Sequence, residues 1–183
     1  MGVETKIAPG TENTMSSFYT RFYANEKEDS PNKSRVSLRR RLNAALHNLS
    51  GTARVLDLGA GRQVFEREYI QAYGREGLDF VSVDIACVSA RNLLCKSLAP
   101  HIRASGSKLP FGDRVFDIAL SSMAIDFMPP EAIEETQRVL KPGGKLLLNL
   151  HHPSLVPAKF DDISRRKRMS RGGQKKCLIF LST

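Results

Sequence analysis

The sequence predicts an α/β fold: a mostly parallel sheet with helices on both faces. Three observations point to it. Short apolar runs alternate with helical patterns from about residue 55 to residue 150. The first run, Val55–Leu58, breaks into the turn Gly59-Ala60-Gly61, where a strand of such a sheet hands over to a helix. A helical pattern near residue 140 meets Pro142-Gly143-Gly144 and gives way at once to the apolar run Lys145–Leu150.

Each element has its own justification. Residues 1–34 are polar, without a sustained period, and are expected to be a flexible N-terminal arm. Within it Tyr19, Phe22 and Tyr23 form an aromatic cluster with two readings, a lid or an anchor packed on the core. Val36 to Leu49 repeats apolar residues at helical spacing, with Arg39, Arg40 and Arg41 expected on a solvated face, and Gly51 stops it. Strands are expected at Val55–Leu58, Phe80–Val83, His101–Ala104, Phe116–Leu120 and Lys145–Leu150, and helices at Val64–Tyr73, Ser89–Leu98 and Glu131–Leu140. The last helix has the clearest ends: Pro130 opens it, Glu131, Glu134 and Glu135 suit its positive end, and Lys141 its negative end. The chain divides into the arm at 1–34, a core at 35–153, and a basic C-terminal segment at 154–183 carrying a last strand, CLIFL.

Composition narrows the class. The 183 residues suffice for one domain with a genuine core. No apolar run approaches a membrane span, and the N-terminal stretch has no apolar signal core, so a cytoplasmic location is expected. Cys87, Cys95 and Cys177 are scattered, which suits reduced thiols and no metal site. The net charge of +9 is uneven: residues 1–50 carry +3, residues 51–153 are neutral, and residues 154–183 carry +6. The tail stretch SRRKRMSRGGQKK reads either as a solvated loop or as a contact for nucleic-acid phosphates.

The glycine turn carries the chemistry. Gly59 and Gly61 begin a dinucleotide fingerprint, but its third glycine is replaced by Val64. Asp84 ends the second strand, 23 residues after Gly61, the spacing of an acid that binds ribose hydroxyls. An adenosine-like ligand follows. Asp57, just before the turn, suits an amino or sulfonium cation better than a diphosphate. For Asp57 and Asp84 the plain alternative is strand-end capping, and for Ile85 it is core packing.

Four segments in order resemble the class I S-adenosylmethionine-dependent methyltransferases, particularly the type 11 branch: VLDLGAG, VSVDIA, SKLPFGDRVFDIALSSMAIDFM and EAIEETQRVLKPGGKLLLN. The resemblance implies a Rossmann-like, doubly wound sheet of about six strands and S-adenosyl-L-methionine as cofactor. It implies that Gly59 and Gly61 line the cofactor's methionine arm, Asp57 holds its amino group, Asp84 takes the ribose hydroxyls, and Ile85 packs on adenine. Ser105 stands where an acid often reads the adenine amino group, and Ser121 and Ser122 would border cofactor and acceptor. The implied acceptor is a small molecule. Asp126, His151 and His152 follow strand ends and are base candidates, none assigned a catalytic role.

Departures keep other readings open. Gln63 replaces a frequent glycine and is expected to crowd the turn. With Ser105 it motivates a catalytically weak binding or scaffold protein; the basic flanks motivate an RNA-directed methyltransferase. After LLLNL the family adds a helix and two strands, whereas CLIFL is the one apolar run in residues 154–183. A truncated chain is therefore expected, with CLIFL alone on an edge open to a second copy or a partner protein.

Overall fold

A computed structural model describes residues 11–25, 33–49, 51–89, 92–93, 99–150, 167–169 and 176–182. In chain order the elements are α1 (Thr11–Asn25), α2 (Lys33–Leu49), β1 (Ala53–Leu58), α3 (Val64–Tyr73), β2 (Leu78–Asp84), β3 (His101–Arg103), β4 (Phe116–Ser122), α4 (Glu131–Val139), β5 (Leu140–Leu150), β6 (Lys167–Met169) and β7 (Lys176–Ser182). A single 3-10 turn, Ile125–Phe127, joins β4 to α4. The seven strands form one sheet in the order β3-β2-β1-β4-β5-β7-β6. β3, β2, β1, β4 and β5 pair in parallel, and β7 and β6 add antiparallel strands at one side.

The sheet is doubly wound because successive strand residues point to opposite faces and both faces are apolar. Leu56, Leu58, Val81, Val83, Leu146 and Leu148 pack on one face with Ile133 and Val139 of α4. Val55, Phe80, Ile118, Leu120 and Leu147 pack on the other with Leu42 and Leu46 of α2 and Phe65 and Tyr69 of α3. Strand order reverses between β1 and β4, which puts a ligand crevice at the carboxyl end of β1.

Four expectations need correction. The N-terminal arm, read as lacking a helical period, contains the helix Thr11–Asn25. The helix before Pro142 ends at Val139. Leu140 is already extended and pairs with Phe116, and the intervening Pro-Gly-Gly forms a bulge before Lys145 pairs with Ile118. Its last carbonyls are capped instead by the preceding loop, through Arg114 N–H to Arg138 O (2.9 Å) and Val115 N–H to Val139 O (2.8 Å). The CLIFL strand is not alone on an edge: β7 lies between β5 and the three-residue β6, which pairs with it from Lys167↔Leu178 to Met169↔Lys176. The fourth concerns Arg39, whose side chain is not solvated but mostly buried in a two-point ion pair with Glu68 at 2.9 and 3.0 Å.

The helix expected over Ser89–Leu98 and the base candidates His151 and His152 lie largely or wholly outside the described residues, as does most of the basic tail. Among the described residues no helix is long and apolar enough to cross a membrane, and no group of three His, Cys, Asp or Glu is placed to hold a metal ion.

Candidate cofactor and acceptor site

β1 carries the chain to the crevice and the turn after it opens the site. Gly59 N–H and Ala60 N–H both donate to Val83 O, at 2.8 and 3.0 Å, which folds the turn onto β2. Gly59 (φ 79°) and Gly61 (φ 53°) are both left-handed, a conformation open to glycine and costly for other residues. Space is equally tight. A Cβ on Gly59 would collide with Ala124 Cβ, and one on Gly61 would lie 2.7 Å from Tyr23 Oη.

Asp84 sits beside the turn. Its Oδ2 accepts from Gly61 N–H and its Oδ1 from Ala86 N–H, both at 2.8 Å. Burial raises its carboxyl above the usual aspartate value, while these N–H groups and nearby His101 pull it back. His101, at the start of β3, lies 3.1 Å by Nε2 from Gly61 O and is kept toward the neutral form by burial. The pairing of Asp84 with the glycine turn, expected from spacing, is thus a direct contact. No local sequence pattern marks His101 as part of the site.

A cavity of about 420 Å³ opens over this turn, within the usual range for small-molecule sites. Asp57, Gly59, Gly61, Asp84, Ile85, Ser105 and Ser122 all line it. Ser105 is tied to Ser107, through Oγ–Oγ at 2.7 Å and Ser107 N–H at 3.1 Å. Ser121 does not line the cavity. It is buried, donating to Leu58 O (2.8 Å) and accepting from Ile125 N–H (3.1 Å), so it clamps β4 to β1 and to the 3-10 turn. Strand alternation could have shown this, because consecutive serines on one strand cannot both face the same side.

Gln63 does not crowd the turn. At φ 64° it directs its fully buried side chain into the core, where Nε2 donates to Ser82 Oγ (3.1 Å) and Ala99 O (2.8 Å). The far wall is apolar: Met123, Ala124, Phe127, Met128 and Pro129 from the β4–α4 connection. α1 closes the top. Tyr19, Phe22 and Tyr23 line the cavity, and α1 is fixed to the segment after β2 by side-chain bonds. Ser16 Oγ donates to Ile85 O (2.9 Å), Thr20 Oγ1 accepts Cys87 N–H (2.9 Å), and Asn92 Nδ2 donates to Tyr23 O (3.3 Å). The aromatic cluster therefore covers the cavity, while polar groups of α1, not the rings, supply the anchoring.

A doubly wound sheet with a glycine turn and a buried acid at its switch-point crevice defines a Rossmann-like α/β protein. Residues 56–148, half of the chain, match the methyltransferase domain family, and the chain belongs to it. It is 33% identical over 112 residues to an uncharacterized methyltransferase of Mycobacterium sp. (strain JLS), covering 58% of this chain and 42% of that one. It is 32% identical over 103 residues to a ubiquinone/menaquinone biosynthesis C-methyltransferase of Stutzerimonas stutzeri (strain A1501), covering 52% and 40%. The chain thus spans less than half the length of these relatives. In fold it is similar to a Burkholderia thailandensis 1,6-didemethyltoxoflavin-N1-methyltransferase solved with 1,6-didemethyltoxoflavin and S-adenosylhomocysteine. The TM-score is 0.76 at 18% identity, over 98% of this chain and 92% of that one.

Proposed function

We propose that this protein transfers a methyl group from S-adenosyl-L-methionine to a small, largely apolar acceptor. The observation that carries the reading is the Gly61–Asp84 contact at the mouth of a cavity whose turn has no room for a Cβ. Asp84 fits the ribose: each carboxylate oxygen accepts one N–H bond and retains capacity for a second. Asp57 fits the amino group, because its Oδ1 is buried at the cavity without an N–H or hydroxyl donor. Ile85 would lie against adenine, with Ser105 near its polar edge.

The cofactor supplies an electrophilic methyl on a sulfonium whose leaving group is a neutral thioether. The protein's part is then alignment and exclusion of water. The Phe22, Phe127, Met123 and Met128 wall gives the acceptor an apolar seat beside the turn. Among the described residues lining the cavity, the groups able to accept a proton are the carboxyls of Asp57 and Asp84 and the phenols of Tyr19 and Tyr23. Asp126 belongs to the 3-10 turn and is not a lining residue. A small-molecule acceptor suits a cavity of this volume better than a nucleic acid.

Titration calorimetry with S-adenosylhomocysteine tests the reading. Binding is expected, and Asp84→Asn should weaken it by about 1.5–3 kcal/mol, the scale of a hydrogen bond to a charged group. Equal affinity in the variant would refute the ribose assignment, and no binding by the parent would refute the function.

A further inference from the structure

Asp57 and Glu66 are two carboxyls buried together beneath the glycine turn, 1% and 0% exposed. Their surroundings are unequal. Ser82 Oγ donates to Glu66 Oε1, and Ser82 in turn receives Gln63 Nε2 at 3.1 Å, so a line of donors runs from Gln63 through Ser82 to Glu66. Glu66 stands in the first turn of α3, where the helix's positive end favours an anion. No N–H or hydroxyl reaches Asp57 Oδ1 or Glu66 Oε2. Asp57 is the register partner of Ser82 on the adjacent strand, so its side chain shares the sheet face on which Ser82 holds Glu66, and two carboxyls buried side by side are not both ionised. With donors gathered on Glu66, the proton belongs on Asp57. Burial and the adjacent Glu66 and Asp84 hold Asp57 well above the usual range, and burial raises Glu66 as well.

The other charges nearby do not replace this proton. Asp84 of β2 is a like charge, and His101 of β3 sits against Asp84 and Gly61 O. Arg39 of α2 is engaged by Glu68, and Arg62 donates to Asn92 O. β4 brings only the hydroxyls of Ser121 and Ser122, and α1 the phenols of Tyr19 and Tyr23.

Resting on the reading above, we infer that Glu66 is a positioning residue. It holds a proton on Asp57 while the amino site is empty, and entry of the ligand's ammonium group expels that proton to solvent. The exchange balances: Asp57 gives up its O–H proton, becomes the carboxylate partner of the ammonium, and keeps the total charge of the site constant. A cation in contact favours the ionised carboxyl by roughly ten- to a thousandfold, enough to drive it. Affinity for an amino-bearing nucleoside should then rise about tenfold per pH unit while the pair titrates.

The variant that isolates this is Glu66→Gln. Its amide can donate to an ionised Asp57 while its carbonyl oxygen still receives Ser82, so no proton is stored. Calorimetry in buffers of different ionisation enthalpy, run as a pH series, should show the full chain releasing up to one proton per S-adenosylhomocysteine. None should be released with 5′-methylthioadenosine, which lacks the amino-acid arm. Glu66→Gln should release far less and bind with flattened pH dependence. Asp57→Asn should abolish release and serves if Glu66→Gln does not fold. Infrared difference spectra of the ligand-free protein against either variant should contain the C=O band of a buried protonated carboxyl. Proton release equal in parent and variants, or no such band, overturns the inference. If S-adenosylhomocysteine does not bind, the infrared measurement still decides it, and only the functional reading falls.

Discussion

Gly59→Ala separates two reasons why the turn must be glycine. The residue is at φ 79°, and a left-handed backbone costs a residue with a Cβ about 1–2 kcal/mol. The new methyl would also collide with Ala124 Cβ and lie 3.2 Å from Met128 Cε. Met128 can move, but Ala124 has no side-chain torsion with which to yield. Overpacking of this kind costs about 1–3 kcal/mol. The sum, about 2–5 kcal/mol, should appear as a lower urea midpoint at unchanged slope. Gly59→Ala/Ala124→Gly removes the collision and leaves the backbone term, so about 1–2 kcal/mol of loss should persist relative to Ala124→Gly alone. Cofactor affinity should follow the same order, because the methyl projects at the cavity wall. A Gly59→Ala protein with the parent's midpoint would refute the backbone argument, and a double variant no better than the single would refute the collision.

Other expectations are independent. Arg138→Ala should lower stability by about 1.5–3 kcal/mol by chemical denaturation; its guanidinium, a third exposed, holds Glu135 at two points and also Leu109 O, Phe111 O and Asp113. Ser121→Ala should cost about 1–3 kcal/mol by leaving Leu58 O and Ile125 N–H unpaired, with little effect on S-adenosylhomocysteine affinity in calorimetry. Because Asp57 and Glu66 are raised on folding, their contribution is present at low pH and is lost as pH rises through their folded values. Asp57→Asn should therefore hold its melting temperature as pH rises where the parent declines. Asp117, lowered chiefly by Lys141, and Glu135, lowered chiefly by Arg138, have the opposite sign. Their stabilisation is present above the unfolded carboxylate values and fades as pH falls through their lowered ones, so melting curves should show a decline on the acid side too.

Local pattern made some elements legible and concealed others. β1 and β2 are short apolar runs buried on both faces, and α3 follows from its period and ends at Tyr73 as expected. α1 escaped notice because little of it is apolar core: its one buried side chain among those described is Ser16, and its fixation comes from contacts with Ile85, Cys87 and Asn92, far along the chain. No window of sequence contains both partners. The place of Gln63 is hidden from local sequence for a similar reason. A left-handed glutamine that reaches Ala99 O is a tertiary arrangement, and bulk alone suggested crowding.

The motif residues divide by task, and the division bears on where acceptor choice is made. Arg138 binds the Leu109–Asp113 loop, while Leu140 pairs with Phe116 ahead of the Pro-Gly-Gly bulge; none of these lines the cavity. That half of the resemblance sets the sheet and the loop before β4. The glycine turn, Asp57, Asp84 and Ile85 line the cavity, on the side proposed for the nucleoside. What remains is the wall from α1 and residues 123–129, including Phe22 and Phe127, which are 41% and 45% exposed. Aromatic groups so exposed gain little by folding alone and gain most when a flat apolar ligand covers them. Under the proposed function, the acceptor is therefore best sought by screening planar, weakly charged compounds for protection of Phe22 and Phe127.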